Sequence, residues 1–388
     1  MDHINQLIEN TAAGEYNKEK AQQAVAELIS IGMPVVPSIV KAIETGLGAT
    51  WRLCEILLLI RDQNIVPVFI DLLQAENTDL AITAIKGLGR SKDERALQPL
   101  LNSLSNCNKH LVIDALGELG NSQAVKKLLQ LSEEILSNSE VSKIIHGQPD
   151  INTENFDESQ LDLLIRIIIA LAKLGNYQVA PTAIPLINYH CDDDYSNSKI
   201  IRTNAVQSLQ YIAIPGMFSA LQSSLHDDYY EVRLQAVDAI FYLGIKEIIP
   251  ELISCIEDED YTVVNNILFR LEHITGTYFE DDVQINNLQD WWKQHQNKYD
   301  SYICYRLGRP LHLPNIIELL DEPNQQKPVL EELKIITGID FSMRLDITHQ
   351  NEGELKKIVQ NWWEKEGHRF KDGVLYKYGH EQNINNIF

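Results

Sequence analysis

The chain repeats one pattern of apolar and polar positions eight times. In this nine-residue frame, apolar residues stand at positions 1, 4, 5 and 8, and glycine often stands at position 9. Because an α-helix has 3.6 residues per turn, these apolar positions fall on one stripe of a helix. The frame therefore predicts amphipathic helices with one buried face. Its copies begin at Ala24, Leu53, Ala81, Val112, Ile167, Ala205, Ala236 and Val264.

A second apolar segment follows most frames and usually has proline near its start, as in IVPVFIDLL from Ile65 and IIPELISCI from Ile248. Proline is tolerated in the first turn of a helix, where its missing N–H has no partner to lose. Each unit is thus predicted to be two antiparallel helices, which must stack on neighbouring pairs to bury their apolar faces. Glycine in the last place of a frame suits the left-handed conformation that ends a helix; these glycines are Gly32, Gly89, Gly120, Gly175 and Gly244.

An aspartate and an arginine precede two of the frames. Asp228 and Arg233 precede the seventh frame, and Asp194 and Arg202 precede the sixth. This arrangement resembles the HEAT repeat, in the short bacterial class also found in phycobilin lyases. The resemblance implies an all-α fold, an α-solenoid of stacked antiparallel helix pairs, with an arginine that ties one repeat to the next. It says almost nothing about function, since this architecture serves binding, scaffolding and a few enzymes.

One phrase occurs twice, as LEHITGTYFE from Leu271 and ELKIITGIDFS from Glu332, each followed by a Trp-Trp pair. We interpret each phrase as the end of a repeat's first helix, and large aromatic residues suit a cap that closes the core of a solenoid. We expect a HEAT solenoid of about eight helix pairs over residues 1–275, with an inserted loop near residues 134–157. A divergent helical C-terminal segment over residues 276–388 is expected to hold one further HEAT-like unit and the Trp-Trp caps. No segment clearly predicts a strand.

The net charge of the chain limits the classes of molecule that we expect as partners. The 388 residues carry a net charge of −22, and residues 226–300 alone hold 16 acidic and five basic side chains. Such a field repels phosphate backbones and anionic lipids, so we expect neither nucleic acid nor membrane as a partner. Five scattered cysteines without a C-x-x-C spacing predict reduced thiols, and the first residues lack the pattern of a signal peptide. We therefore expect a cytoplasmic bacterial protein.

Known catalytic and metal-binding patterns are missing from the sequence. It has no P-loop, no G-x-S-x-G and no dinucleotide fingerprint. The run from His190 to Asp194 invites a metal, but a calcium loop from Asp192 would need glycine and glutamate where Asn197 and Thr203 stand. The paired His-Glu sites of HEAT-type hydroxylases are also missing, since only one His-Glu dipeptide occurs. We expect no catalytic residue, no metal and no cofactor.

Acidic and aromatic residues recur at three successive repeat junctions. Because stacked repeats turn only slightly, we expect these equivalent loops to line up along one edge. Tyrosine beside carboxylates suits a Lys- or Arg-rich partner, bound by ion pairs and cation–π contacts, although helix-entry chemistry alone would also supply the aspartates. The candidate partner-binding residues are Asp192, Asp193, Asp194, Tyr195, Asp227, Asp228, Tyr229, Tyr230, Glu257, Asp258, Glu259, Asp260 and Tyr261.

These observations favour a non-enzymatic interaction protein, an acidic HEAT solenoid that binds a basic protein. An adaptor, an escort and an immunity protein that neutralises a cationic toxin all fit this description. The alternative is a phycobilin lyase or isomerase that attaches a bilin to a phycobiliprotein, because similar repeats occur in those enzymes. Against the alternative, the chain offers no recognisable bilin-handling motif.

Overall fold

The structure is a computed structural model of the chain. It divides into two compact units, one formed mainly by residues 1–128 and the other by residues 129–342 and 352–388. The boundary predicted near residue 275 lies inside the second unit. No single helix in the described ranges is long and apolar enough to cross a bilayer; Lys18–Ile31 and Met33–Thr45 meet that test only as a pair bent by 110°. The structure describes residues 2–13, 17–60, 62–105, 108–148, 157–189, 197–280, 283–341 and 352–387.

The first half of the chain forms helix pairs, as the nine-residue frame predicts. The first four frames lie in α2, α4, α6 and α8, which contact one another in that order, and α3, α5 and α7 pack against the first helix that follows each of them. The helices are α1 (Asp2–Asn10), α2 (Lys18–Ile31), α3 (Val36–Thr45), α4 (Thr50–Leu59), α5 (Ile65–Leu72), α6 (Thr78–Ser91), α7 (Leu97–Asn102), α8 (Lys109–Leu119) and α9 (Val125–Leu136).

The later frames begin in α11, α13, α15 and α17, which again contact one another in order. In α15 the small residues Ala236 and Ala239 are fully buried, which lets neighbouring helices approach closely. The repeat prediction is confirmed for all eight frames. The helices are α10 (Ser139–Ile145), α11 (Ser159–Lys173), α12 (Ala183–Ile187), α13 (Ser198–Ser208), α14 (Met217–Ser224), α15 (Tyr230–Phe241), α16 (Ile249–Ser254) and α17 (Tyr261–Thr275).

The insertion near residues 134–157 is partly helical, which differs from the predicted loop. Helix α9 runs to Leu136, and α10 follows after a short turn. The Asn138 side chain caps α10 by accepting the first free N–H groups, and Val141 and Ile144 bury its apolar side. Two buried apolar positions are too few to reveal a helix by periodicity. Residues 149–156 lie outside the described residues.

One of the predicted helix-ending glycines has another role. Gly89 lies inside α6, which ends instead at Lys92 in the left-handed region, with φ 54°. A Cβ at Gly89 would lie 2.8 Å from the Cα of Ala115 in α8. The glycine is therefore needed for the close contact between two first helices, a demand that the sequence frame cannot distinguish from a helix stop.

A duplicated arrangement of helices and a β-hairpin occupies residues 249–381. Two-residue strands carry no alternation of apolar and polar positions, so the sequence does not predict these hairpins. The first copy is α16, α17, α18 (Ile285–His295) and the hairpin of β1 (Tyr305–Arg306) and β2 (Arg309–Pro310). The second copy is α19 (Leu313–Glu318), α20 (Gln326–Thr337), α21 (Glu352–Glu366) and the hairpin of β3 (Tyr376–Lys377) and β4 (His380–Glu381).

Each hairpin folds back on the long helix of its own copy. The N–H groups of Leu307 and Gly308 donate to carbonyls in the last turn of α17, and those of Tyr378 and Gly379 donate to the last turn of α20. Gly276, which caps α17 with φ +66°, makes this possible, because a Cβ there would lie 2.8 Å from the hairpin backbone. The repeated phrase therefore ends a helix, as predicted, and also receives a hairpin.

Candidate functional site

The N-terminal ends of four successive first helices lie along one edge of the second unit. Glu158, at the start of α11, accepts a hydrogen bond of 2.7 Å from the backbone N–H of Asn197, at the start of α13. Lys199 in the first turn of α13 pairs with Glu231 in the first turn of α15 at 2.9 Å. Since first turns contact first turns, the helices run parallel. We call residues 226–231 and 257–261 of this edge the N-terminal edge.

Two buried arginines hold the loops of this edge in register. Arg202 in α13 donates two hydrogen bonds to Asp227, at 2.8 and 3.0 Å, and Arg233 in α15 donates two to Asp258, at 2.7 and 2.8 Å. The arginine side chains are 1% and 8% exposed, and both aspartates are 7% exposed. The hydrogen bond to Asp258 raises the pKa of Arg233. Bidentate contacts of this kind are strong, and removing one partner leaves a buried charge unpaired.

The structure divides the candidate residues into inward and outward groups. Asp227 and Asp258 face the buried arginines, and Asp260 accepts the N–H of Thr262 as the N-cap of α17. These three carboxylates therefore serve the fold. Asp192, Asp193, Asp194 and Tyr195 lie outside the described residues. The exposed candidates are Asp228, Tyr229, Tyr230, Glu257, Glu259 and Tyr261.

Exposed tyrosines stand beside these carboxylates. Tyr230 and Tyr261 are the first residues of α15 and α17, and they are 41% and 67% exposed. The ring of Tyr229 lies within 5.4 Å of the Lys199 ammonium and 5.3 Å of the Arg202 guanidinium. The edge thus already places cations against a tyrosine face, which is an attractive arrangement because the face of an aromatic ring is negative.

The comparison with known families supplies the repeat type. Residues 49–113, from the start of α4 into α8, match the family model of HEAT repeats. The chain contains HEAT repeats. Repeats of this kind suggest a protein-interaction solenoid. The HEAT resemblance implied that an arginine ties one repeat to the next, and Arg202 and Arg233 both do. Arg202 pairs with Asp227, whereas the neighbouring Asp228, the aspartate of the motif, is exposed.

Several solved structures are similar to this HEAT-repeat chain at low identity. The complex of CpcE and CpcF of phycocyanin lyase from Nostoc sp. PCC7120 shares 14% identity over 74% of this chain and 94% of that chain, with a TM-score of 0.37. An engineered protein shares 14% identity over 94% of this chain and 98% of that chain, with a TM-score of 0.35. Human deoxyhypusine hydroxylase in complex with glycerol shares 16% identity over 61% of this chain and 96% of that chain, with a TM-score of 0.25. Such scores carry no argument about activity. No curated protein sequence matches the chain.

The hairpins cover the opposite edge of the same HEAT helices. The N–H of Tyr305 in β1 donates to the carbonyl of Gly244, just after α15, at 2.7 Å. The ring of Tyr378, beside β3, contacts the ring of Tyr211, just after α13, with centroids 5.5 Å apart. The C-terminal ends of α13 and α15 therefore lie beneath the duplicated copies, while their N-terminal ends form the exposed edge.

Four consecutive carbonyl oxygens, from Phe241 at the end of α15 to Gly244, accept hydrogen bonds from the hairpins or the residues beside them. Carbonyls at the end of a helix lack a partner within the helix and therefore need other donors. The Phe241 oxygen accepts from Arg306 Nη2 at 3.2 Å, the Tyr242 oxygen from Lys377 Nζ at 3.1 Å, the Leu243 oxygen from Cys304 Sγ at 3.1 Å, and the Gly244 oxygen from the Tyr305 N–H at 2.7 Å.

Burial changes the titration of this cluster. It lowers the pKa of Lys377 to about 7, because the ammonium form loses its hydration, and it raises the pKa of the Cys304 thiol to about 12. Arg306 pairs with Glu332 of α20, and both side chains are 5% exposed. Our sequence reasoning missed these residues. The available signal was the related stretches YRLGRP and YKYGHE, which place Arg306 and Lys377 at matching positions.

The second copy contains a pocket whose lining includes Trp363 and Phe370. The described residues also contain no group of three or more His, Cys, Asp or Glu side chains that could hold a metal ion.

Proposed function

We propose that this HEAT solenoid is a non-enzymatic interaction protein that binds a basic protein through its N-terminal edge. The observation that carries the proposal is the pairing of exposed carboxylates with exposed tyrosines on two successive loops. Asp228 stands beside Tyr229 and Tyr230 on one loop, and Glu259 lies near Tyr261 on the next. The buried arginine pairs support a fixed distance between these loops, so that the edge presents a rigid surface.

The distribution of charge supports this edge. Three of the seven acidic side chains in the two loops pair closely with Lys199, Arg202 and Arg233. Of the remainder, Asp228, Glu257 and Glu259 are exposed. The opposite ends of α13 and α15 are occupied by the chain's own hairpins. An incoming basic partner therefore meets a negative surface at one edge and a covered surface at the other.

The expected strength of each contact is modest. An exposed ion pair contributes roughly 0.2–1 kcal/mol, and an exposed cation–π contact contributes roughly 0.5–1 kcal/mol. Useful affinity therefore requires several contacts together, and it should fall as salt screens the exposed charges. The contact of Tyr229 with the chain's own Lys199 is an internal example of the chemistry proposed for Tyr230 and Tyr261.

A pair of charge-matched triple variants tests the proposal. Asp227 and Asp258 are left unchanged because their loss would unpair buried arginines. The edge variant carries Asp228→Lys, Glu257→Lys and Glu259→Lys, and the control variant carries the same charge change at exposed positions in or beside the duplicated copies, Asp290→Lys, Glu322→Lys and Glu364→Lys.

Wild type and both variants are used to capture proteins from a lysate of the host, and the affinity of each captured protein is measured by calorimetry at low and high salt. We expect a basic protein that wild type and the control variant retain, and that the edge variant binds roughly 10- to 100-fold more weakly, since three exposed contacts are lost. Equal binding by the edge and control variants would refute this edge as the binding surface. An adaptor, an escort and an immunity protein are then separated by the identity of the partner.

A further inference from the structure

The segment Tyr376–Ile387, which we call the strap, crosses the C-terminal edge of the HEAT helices. It begins with β3 and β4 and continues to Ile387, which is fully buried, as Ile384 nearly is. Besides the backbone hydrogen bonds of Tyr378 and Gly379 to α20, three hydrogen bonds attach the strap to the HEAT helices. They are Lys377 Nζ to the Tyr242 oxygen at 3.1 Å, Gln382 Nε2 to the Tyr177 hydroxyl at 2.7 Å, and the Phe218 N–H to the Ile387 oxygen at 3.0 Å.

The His380 ring of the strap lies close to the backbone just after α11. A Cβ at Gly175, just after α11, would lie 2.8 Å from the His380 ring. Lys173 in α11 lies 5.2 Å from the ring centroid of Tyr378. The strap thus contacts the ends of several helices at once, through polar contacts and through the buried side chains of Ile384 and Ile387.

Lys377 is a fully buried lysine of the strap, with 0% of its surface exposed. Its amine donates to the Tyr242 oxygen and lies 5.5 Å from the Tyr242 ring centroid. The other titratable groups that face it are Cys304 beside β1, Arg306 in β1 and Glu332 in α20. Because Glu332 already pairs with Arg306, a protonated Lys377 would add a second positive charge to a buried site that holds a single carboxylate. The neutral amine suits this site better.

We propose that the strap is a pH-graded closure, docked on the helix ends when Lys377 is neutral and released when Lys377 binds a proton. The direction follows from proton linkage. In the docked strap the pKa of Lys377 is about 7, whereas a solvated lysine has a pKa of about 10.4. Between these values the released strap binds a proton that the docked strap lacks, so docking strengthens about tenfold per pH unit as pH rises from 7. Below pH 7 both states are protonated and docking is at its weakest.

Release has a defined structural result. It frees the Tyr242 carbonyl and removes Ile384 and Ile387 from the places where they are buried. The helix ends under the strap would then accept other donors. The strap therefore couples the accessibility of this edge to pH in the neutral range, independently of the proposed partner at the N-terminal edge.

Hydrogen exchange measured by mass spectrometry on the full chain tests the closure. Amides of residues 376–387 are followed from pH 6 to 8.5, with correction for the intrinsic exchange rate. In wild type we expect protection that is constant below pH 7 and rises about tenfold per pH unit above it. In Lys377→Met we expect protection without this slope. Lys371→Met is the matched control, because this lysine is exposed and pairs with Glu381 at 2.9 Å, and it should keep the wild-type slope.

Two outcomes of the exchange experiment would overturn the proposal. If Lys377→Met keeps the wild-type slope, another group governs docking. If the amides of α17 follow the same slope as the strap, the whole unit opens and the strap is no separate device. A titration of wild-type protein labelled at lysine Cε needs no variant: one lysine should titrate near pH 7, and titration of every lysine near 10.4 would also overturn the proposal.

Discussion

Replacement of Arg306 alone should destabilise the second unit more than replacement of Arg306 and Glu332 together. Arg306 donates to the carbonyls of Tyr305 at 2.7 Å and Phe241 at 3.2 Å, and its guanidinium lies 4.2 Å from the Phe241 ring centroid. Its ion pair with Glu332 joins the hairpin of the first copy to α20 of the second, and both side chains are 5% exposed. The two residues therefore form a buried link between the duplicated copies.

The magnitude follows from what each variant leaves behind. Arg306→Met leaves the Glu332 carboxylate buried without its cation, which costs roughly 3–5 kcal/mol. The double variant Arg306→Met with Glu332→Leu removes both charges, and such apolar replacement of a buried pair is often neutral or stabilising. Only the two hydrogen bonds to carbonyls are then lost, at about 1 kcal/mol each. We expect a total of about 2 kcal/mol for the double variant, and a pairwise coupling of at least about 2 kcal/mol.

Urea unfolding followed by tryptophan fluorescence measures these values. Four of the five tryptophans lie in α18 and α21 of the duplicated copies, so a Trp51→Phe background confines the signal to this region. Arg309→Met is the control, since this exposed arginine lies on β2 of the same hairpin, and it should change stability by less than about 0.5 kcal/mol. The reasoning fails if Arg306→Met costs less than about 1 kcal/mol, or if the double variant costs the sum of the single variants.

Two further predictions concern helix ends. Gly276→Ala and Gly46→Ala both place a side chain in the left-handed helical region, at a cost of roughly 1–2 kcal/mol, but of the two only Gly276 has a backbone atom within 3 Å of the added Cβ. Gly276→Ala should therefore lower the melting temperature more, and an equal effect in both variants would contradict the close approach of the hairpin. Asp258→Ala, which unpairs the buried Arg233, should cost roughly 3–5 kcal/mol in urea unfolding. Glu259→Ala, whose side chain is 85% exposed and 3.5 Å from the same arginine, should cost less than about 0.5 kcal/mol, and similar costs for the two would argue against the buried pair.

The helices of this fold could be predicted because their burial is recorded directly in the spacing of apolar residues. The frame at Ala236 spaces its apolar residues so that they form one stripe of a helix, and each of the other frames does the same. Gly276 and Gly338 were also identifiable as helix ends, because both follow a strongly periodic segment. These features depend on neighbours within a few residues, which a single sequence displays.

The polar contacts between distant segments could not be predicted in this way. Lysine and arginine are usually exposed, so Lys377 and Arg306 give no local sign of burial. Lys377 finds its acceptor 135 positions earlier in the chain, at Tyr242. The candidate site shows the same limit on a smaller scale: Asp227 and Asp228 are identical in type and adjacent, yet only the loop conformation decides which of them meets Arg202.

The capped end of α15 also has a consequence for synthesis. The four carbonyls from Phe241 to Gly244 receive their donors only when residues from 304 to 377 have been synthesised, after α15 itself. Until then water is the available donor for these oxygens. A nascent chain that stops before Lys377 would therefore leave the Tyr242 oxygen without its amine donor.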